Sequence, residues 1–388
     1  MIEVAKKGLS RVSELYRDRT QRSKELKAEG KQVIGYFCLY PILEMMTALD
    51  IVPYRIFGSM QEPITKADAC LPTIVCPFVR SALDLGLKGK YDLLDGVVMC
   101  HSCEVAEKSA HIWRTSLDPA YFHFIDVPHT VHRAAQEQFK EQLKSFQKTL
   151  ESLTGKELPP ERFKEGIKVH NQQRALVRDL YDLMKPDPPL ISGTETIQVM
   201  IVLTGLPVVE GSELLRQVIG EVKERQTEPE RKSARLLVWG SIIDDIALID
   251  MIENAGAHVV IDDTCVGSRA YFDDVALTDD PLDGLAHRYL VDTKCPRTFR
   301  AVGETKKDHM TDLESRFGYL KDYARQWHVD GVILQSLRYC DIHGYEVPGL
   351  KDYLDHIGLP SIYLEWDYSK ATLAPLRTRV EAFLEVIS

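Results

Sequence analysis

The pattern of the chain predicts an α/β protein: two parallel-sheet halves, a helical N-terminal segment and a helical region between the halves. Three observations predict it. From Val33 short apolar runs alternate with amphipathic stretches, as repeated βα units do. The same alternation resumes at Arg235 after about a hundred residues of purely helical pattern. Five of the eight cysteines stand where an apolar run passes into a loop: Cys38 after VIGYF, Cys76 after PTIV, Cys103 in DGVVMCHSC, Cys265 after HVVIDDT and Cys340 after DGVILQSLRY. In an open α/β sheet the carboxyl ends of the strands form the crevice where ligands bind.

The elements follow in order. Residues 1–30 are charged and amphipathic and read as helix. In 31–130 the predicted strands are Val33–Phe37, Val52–Phe57, Pro72–Val75, Gly96–Met99 and Tyr121–Val127, with helices at Pro41–Leu49, Phe78–Leu87 and Glu104–Ser116. Residues 131–230 read as helices only. Gly155 stops one, Pro159 and Pro160 open the next, and a third segment runs from Thr194. This region is expected to be a helical layer without chemistry of its own. In 231–388 strands are expected at Leu236–Gly240, His258–Asp262, Gly331–Leu337 and Ile362–Glu365. Helices are expected at Asp245–Ala255, from about Glu304 to Gln326, at Val347–Ile357 and from Leu373 onward.

Composition bounds the function. A chain of 388 residues with 44% hydrophobic residues buries large cores without staples. It has no apolar run long enough for a membrane helix and no signal-peptide pattern, so a cytoplasmic location is expected. In a reducing cytosol eight cysteines point to thiols or metal ligands rather than disulfides. The net charge of −10, with both signs interspersed, argues against a nucleic-acid partner.

The cysteines carry the chemistry. For a single cysteine the ordinary explanation is a small buried hydrophobe; it accounts poorly for five at one kind of position. Converging thiolates are soft ligands, suited to zinc or an iron–sulfur cluster. Cys76, Cys103 and Cys340 would reach one centre from both halves, and three thiolates leave a coordination position open for an exogenous ligand. Cys100 and Cys103 form a lone C-x-x-C without a second pair, and no nucleotide-binding or serine-hydrolase motif is present. His101, beside Cys103, is a candidate proton donor; His129 and His132 are three apart and could share a helix face. In DDTCVGSR, Gly267 would allow close approach of a ligand and Arg269 would bind phosphate or carboxylate, against the alternative of an ordinary loop with a surface arginine. Glu44 would point into the cleft at Cys38, or else be an exposed carboxylate favoured by a helix dipole.

At GYFCLYPILEMMTALDIVPYRIFG, ADACLPTIVCPFVRSALDLGLKGKYDLLDGVVMCHSCE, FHFIDVPH, DDTCVGSRAYF and GVILQSLRYCDIHGYEVPGLKDYLDHIGLPSIYLEWD the chain resembles the benzoyl-CoA reductase and 2-hydroxyacyl-CoA dehydratase family. The phrasing is most similar to a catalytic, non-ATPase subunit of ATP-dependent benzoyl-CoA reductase. The resemblance implies two Rossmann-like domains and a 4Fe–4S cluster on Cys76, Cys103 and Cys340. It also implies a homologous second catalytic subunit, and an iron–sulfur ATPase that donates electrons at low potential. The implied substrate is an aromatic acyl-CoA, whose ring is reduced through a ketyl radical anion; the alternative is dehydration of a 2-hydroxyacyl-CoA. Anaerobic metabolism of aromatic compounds would follow. One departure is the additional set Cys38, Cys265 and Cys295, which matches a branch that carries a double-cubane 8Fe–9S cluster and reduces small molecules. Within this frame Arg80 would orient the cluster or substrate, His101 and Glu104 would transfer protons, and Arg55 and Arg269 would contact CoA phosphates.

Overall fold

The computed structural model describes residues 7–226, 230–300 and 308–387. In chain order the elements are α1 (Gly8–Arg17), α2 (Gln21–Ala28), β1 (Val33–Tyr36), α3 (Leu43–Ala48), β2 (Val52–Arg55), α4 (Pro77–Leu87), β3 (Gly96–Cys100), α5 (Glu104–Leu117), β4 (Phe122–Ile125), α6 (Arg133–Thr154), α7 (Pro160–Asp182), α8 (Gly193–Leu203) and α9 (Val208–Lys223). They continue with β5 (Ala234–Gly240), α10 (Ala247–Asn254), β6 (Ala257–Asp263), α11 (Ser268–Tyr271), α12 (Pro281–His287), α13 (His309–Gln326), β7 (Gly331–Leu337), α14 (Asp341–His356), β8 (Ser361–Trp366) and α15 (Leu373–Ile387). The expected helix from about Glu304 begins partly outside the described residues; its described part is α13.

All strand pairs are parallel. One sheet has the order β2-β1-β3-β4 and the other β6-β5-β7-β8, which is the same winding twice. In the first sheet Val33 lies opposite Val52 and Val97 opposite Phe122; in the second Leu236 lies opposite Gly331. The direction of winding reverses between β1 and β3, and again between β5 and β7. Each sheet therefore has one switch point where two strand ends diverge and leave a crevice. β5, β6 and β7 are buried along their whole length, as their continuous apolar runs require for a sheet covered on both faces.

The carboxyl edges of the two sheets face each other. Arg55, at the end of β2, donates from Nη1 to the carbonyl of Cys265 beyond β6 at 2.8 Å. Asp244, beyond β5, accepts from the Gly58 N–H at 3.1 Å. Arg297 donates to the carbonyls of Val127 and Pro128, beyond β4.

Residues 131–226 are helical, but they do not form a layer of their own. α6 lies against β4 and α12, α7 against α3 and α9, and α8 against β6 and α10. Gly155 ends α6 in the left-handed conformation and Pro160 opens α7, as their residue types predict. Two expectations are corrected. Residues 72–75 are a turn, not a strand. Residues 72–74 are exposed, Ile74 by 69%, so this short segment has no buried face to pack against a sheet. The helix expected at Val347–Ile357 starts at Asp341 and accommodates Pro348 internally. Cys340 thereby becomes its N-cap.

Candidate functional site

Cys76, Cys103 and Cys340 occupy equivalent positions: each is the N-cap residue of a helix, α4, α5 and α14 respectively. A helix start offers unpaired N–H groups and the positive end of the peptide dipoles, so it favours anionic sulfur. The contacts are specific. Ala106 donates its N–H to Cys103 Sγ at 3.3 Å, and His343 Nδ1 lies 3.3 Å from Cys340 Sγ. Burial acts the other way. It pushes the Cys76 thiol up to about 11 against the N–H groups of Val79 and Phe78. It pushes Cys103 up to about 12, and Cys340 further, and the charges of Cys76 and Cys103 add to the effect at Cys340. Three elements distant in sequence thus bring three thiols within electrostatic reach.

Cys38, Cys265 and Cys295 form a second group beside the first. Cys38 follows β1 in a left-handed conformation (φ 68°), an uncommon backbone state for a side chain that aims it off the strand direction. Its thiol is lowered, first by the neighbouring Cys100 and, against burial, by Arg55. Cys265 follows β6; burial raises it to about 12, Arg269 opposes this, and the charges of Cys38 and Cys295 reinforce it. Cys295 sits against Tyr40, whose hydroxyl is pushed up by burial and by the Cys295 charge. The two groups communicate: Cys38 raises Cys103, and Cys265 raises Cys340.

This donor set suits a soft, positively charged centre. Six thiols, buried or half-buried and mostly held neutral by the protein, come together, and all eight cysteines of the chain are free of disulfides. A coordinating metal removes the thiol proton outright, which reverses the burial penalty. The residues therefore fit iron–sulfur ligation, with one three-cysteine group at the starts of α4, α5 and α14 and the other beside it.

The remaining candidates fall in different places. His101 follows β3 with its Nδ1 3.1 Å from Asp126 Oδ1 and Nε2 3.6 Å from Glu104 Oε1; its ring meets His129 edge-on at 4.7 Å. This polar cluster, which Glu107 extends, lies one turn from Cys103. Arg80 pairs with Asp68 and reaches the Thr73 carbonyl, so it clamps the loop that delivers Cys76. Arg269 is not a surface residue. It is 3% exposed, with its guanidinium spread over Asp263, the Gly240 carbonyl and His343, and Nη1 3.6 Å from Cys265 Sγ. Gly267 admits the Asp262 side chain, not a ligand: a Cβ there would stand 1.8 Å from Asp262 Oδ2. Glu44 is neither exposed nor directed at a thiol. It is fully buried, ion-paired with Arg174, and accepts from Tyr289 Oη at 2.8 Å. Burial raises its carboxyl, but Arg174 and His170 outweigh burial and hold it at about 2. Sequence reading did not single out Asp244. Burial raises it to about 6, and it accepts from Tyr368 Oη at 2.6 Å beside Cys76. The doubled Asp244-Asp245 immediately beyond β5 was the available signal. An open hollow of about 330 Å³ borders Cys340, lined among others by Tyr339, Tyr345 and Tyr363.

Among the described residues no helix is long and apolar enough to cross a membrane. A family model described as 2-hydroxyglutaryl-CoA dehydratase, D-component, matches residues 38–387. The β subunit of (R)-phenyllactyl-CoA dehydratase from Clostridium sporogenes is 25% identical over 366 residues, 94% of each chain. A benzoyl-CoA reductase subunit from Thauera aromatica is 24% identical, covering 92% of this chain and 91% of its own. A putative dehydratase subunit, YjiM, of Escherichia coli (strain K12) is 26% identical over 378 residues, 94% of this chain and 93% of its own.

Proposed function

Because this chain belongs to the family of the 2-hydroxyglutaryl-CoA dehydratase D-component, we propose that it is an iron–sulfur subunit for ATP-coupled reduction at low potential. In this reading Cys76, Cys103 and Cys340 hold one cubane and Cys38, Cys265 and Cys295 a second, as a double-cubane 8Fe–9S cluster. The observation that carries the reading is the meeting of both cysteine triplets at the facing edges of the two sheets. Bound there, such a cluster supplies single electrons and a site open to a substrate atom. The chain's own residues do the rest. The N-termini of α4, α5 and α14 favour the anionic sulfurs. Arg269 fixes the Cys265 loop, and Arg80 fixes the Cys76 loop. His101, held by Asp126 and adjacent to Glu104, stores and passes a proton next to Cys103. Electrons come from a separate iron–sulfur ATPase, since this chain has no phosphate-binding loop. A homologous second subunit pairs with it, in line with the naming of its relatives as subunits.

A second reading keeps one cubane on Cys76, Cys103 and Cys340 and an acyl-CoA thioester as substrate. It would be reduced as in benzoyl-CoA reductase or dehydrated as in the 2-hydroxyacyl-CoA dehydratases. The hollow at Cys340, of a size that accommodates a small organic group, favours it. Iron and sulfide counts on anaerobically purified protein separate the readings. About eight iron and nine sulfide per chain, falling to about four iron in Cys295→Ser, are expected for the double cluster. About four of each in the unaltered protein, untouched by that substitution, would establish the single cubane.

A further inference from the structure

A small cavity of about 40 Å³ lies behind the second cysteine group, and its walls are cationic. Arg55, Arg174 and Arg288 line it together with Tyr36, Tyr271 and Tyr289. Arg55 is 2% exposed; its Nη1 donates to the Cys265 carbonyl, its guanidinium lies over the rings of Tyr36 and Phe57, and its Nε and Nη2 have no hydrogen-bond partner. Among the described residues no carboxylate forms an ion pair with it. Arg288, 1% exposed, donates only to neutral acceptors: the carbonyls of Asp273 and Ala270 and the hydroxyl of Thr293. Arg174 is neutralised by Glu44. His170, also in the wall, is hydrogen-bonded to the Thr47 hydroxyl, and burial holds it uncharged at neutral pH. The groups able to carry negative charge that face these arginines are Glu44 and Asp274 near Arg174, the Cys38 and Cys265 thiols beside Arg55 and the Asp273 carboxyl near Arg288. Burial raises the Asp273 carboxyl, which weakens it as a counter-charge.

A buried guanidinium with three idle N–H vectors, one on Nε and two on Nη2, is costly unless something accepts from them, and water satisfies the hydrogen bonds without the charge. The space takes about three water molecules, since each needs roughly 10–15 Å³. One compact anion fits the same space. We propose that this cavity binds a compact monovalent anion, of halide or nitrate size, between Arg55 and Arg288. The cavity abuts Leu39, next to Cys38, so an occupant stands one residue from the second cysteine group.

The test uses the anaerobically purified full chain with its native metal content. Crystals soaked in sodium bromide are expected to show an anomalous bromine peak within hydrogen-bond distance of Arg55 Nε or Nη2. Thermal unfolding titrated with sodium bromide or nitrate, at ionic strength held constant with sodium sulfate, is expected to rise and saturate. Arg55→Gln should weaken bromide binding by about tenfold or more, as loss of a charge-assisted contact does. Leu43→Phe, which fills the cavity and removes no charge, should weaken it equally and carries the test if Arg55→Gln does not fold. Ordered water without bromine signal, a response that never saturates, or binding unchanged in Leu43→Phe overturns the proposal.

Discussion

At the scale of single residues the strongest internal commitment is Glu44. Its partners, Arg174 and Tyr289, lie 130 and 245 positions away in sequence. That separation is why the sequence left Glu44 either in the cleft at Cys38 or at an exposed helix start: nothing local distinguishes a carboxylate in a first helical turn from one aimed at a distant arginine. Glu44→Gln leaves Arg174 buried without its counter-charge, so a loss of about 3–5 kcal/mol is expected in anaerobic chemical denaturation. The sign of its pH dependence follows. The carboxyl is held down at about 2 against an ordinary value of 4.5. Its contribution is therefore complete above pH 4.5 and is lost as pH falls toward 2. The variant's deficit should accordingly shrink on acidification below about 4.5, and a deficit that stays constant from about pH 7 to about pH 3 would contradict the ion pair. The cysteines show the opposite case. Their types were visible in the sequence, and so was the position after a strand of Cys38, Cys103, Cys265 and Cys340; Cys76 follows a turn instead. That Cys295, in an irregular segment, belongs beside Cys38 came only from the resemblance and not from its own placement, because only the fold brings Tyr40 against it.

At the scale of elements, strands were the most legible feature where both faces are buried. Gly331–Leu337 is apolar without interruption save Gln335 and Ser336, and is found as read. Short apolar runs were not: the PTIV segment has strand propensity but no buried face. The region from Ser268 to Asp292, with two short helices and a π turn, carries no clear period and went unassigned. Two local devices hold elements where the site needs them. α8 opens with a capping box, in which the Ser192 hydroxyl accepts from the Glu195 N–H and the Glu195 carboxylate accepts from the Ser192 N–H. Ser192→Ala should cost about 1 kcal/mol, measured as a shift of the denaturation midpoint with unchanged slope. Gly240 ends β5 at the second switch point with φ 154°, and a Cβ there would stand 1.9 Å from the Gln335 carbonyl oxygen. That oxygen is backbone in the adjacent strand and cannot move aside. Gly240→Ala is therefore expected to destabilise by more than the ~1 kcal/mol at the centre of point-mutation effects, with soluble yield and midpoint both reduced. A wild-type midpoint in this variant would mean that β5 and β7 part more readily than their pairing indicates.

At the scale of the molecule, the same winding appears twice, and the two crevices are turned toward one another. In the proposed reading neither half owns a complete ligand set. Cys38, Cys76 and Cys103 come from the first sheet, and Cys265, Cys295 and Cys340 from the second and its loops. A centre ligated from both sides ties the halves together, so its free energy of binding is also free energy of association between them. The interior strands do not depend on it, because their apolar faces are buried in a hydrophobic core that runs through both sheets. Loss of the centre should therefore loosen the edges and spare the cores. Hydrogen exchange on anaerobic protein before and after chelation of iron would show this. Protection is expected to fall around Cys38, Cys76, Cys103, Cys265, Cys295 and Cys340, while β5 and β7 keep theirs, since local opening samples the least packed segments first. The reverse pattern, with β5 and β7 exchanging as fast as the loops, would mean that the ligands hold up the sheets themselves and that the halves do not fold without them. Unchanged exchange everywhere would mean that the hydrogen bonds of Arg55 and Arg297 across the edges suffice, and that the six thiols meet without bearing on the stability of the whole.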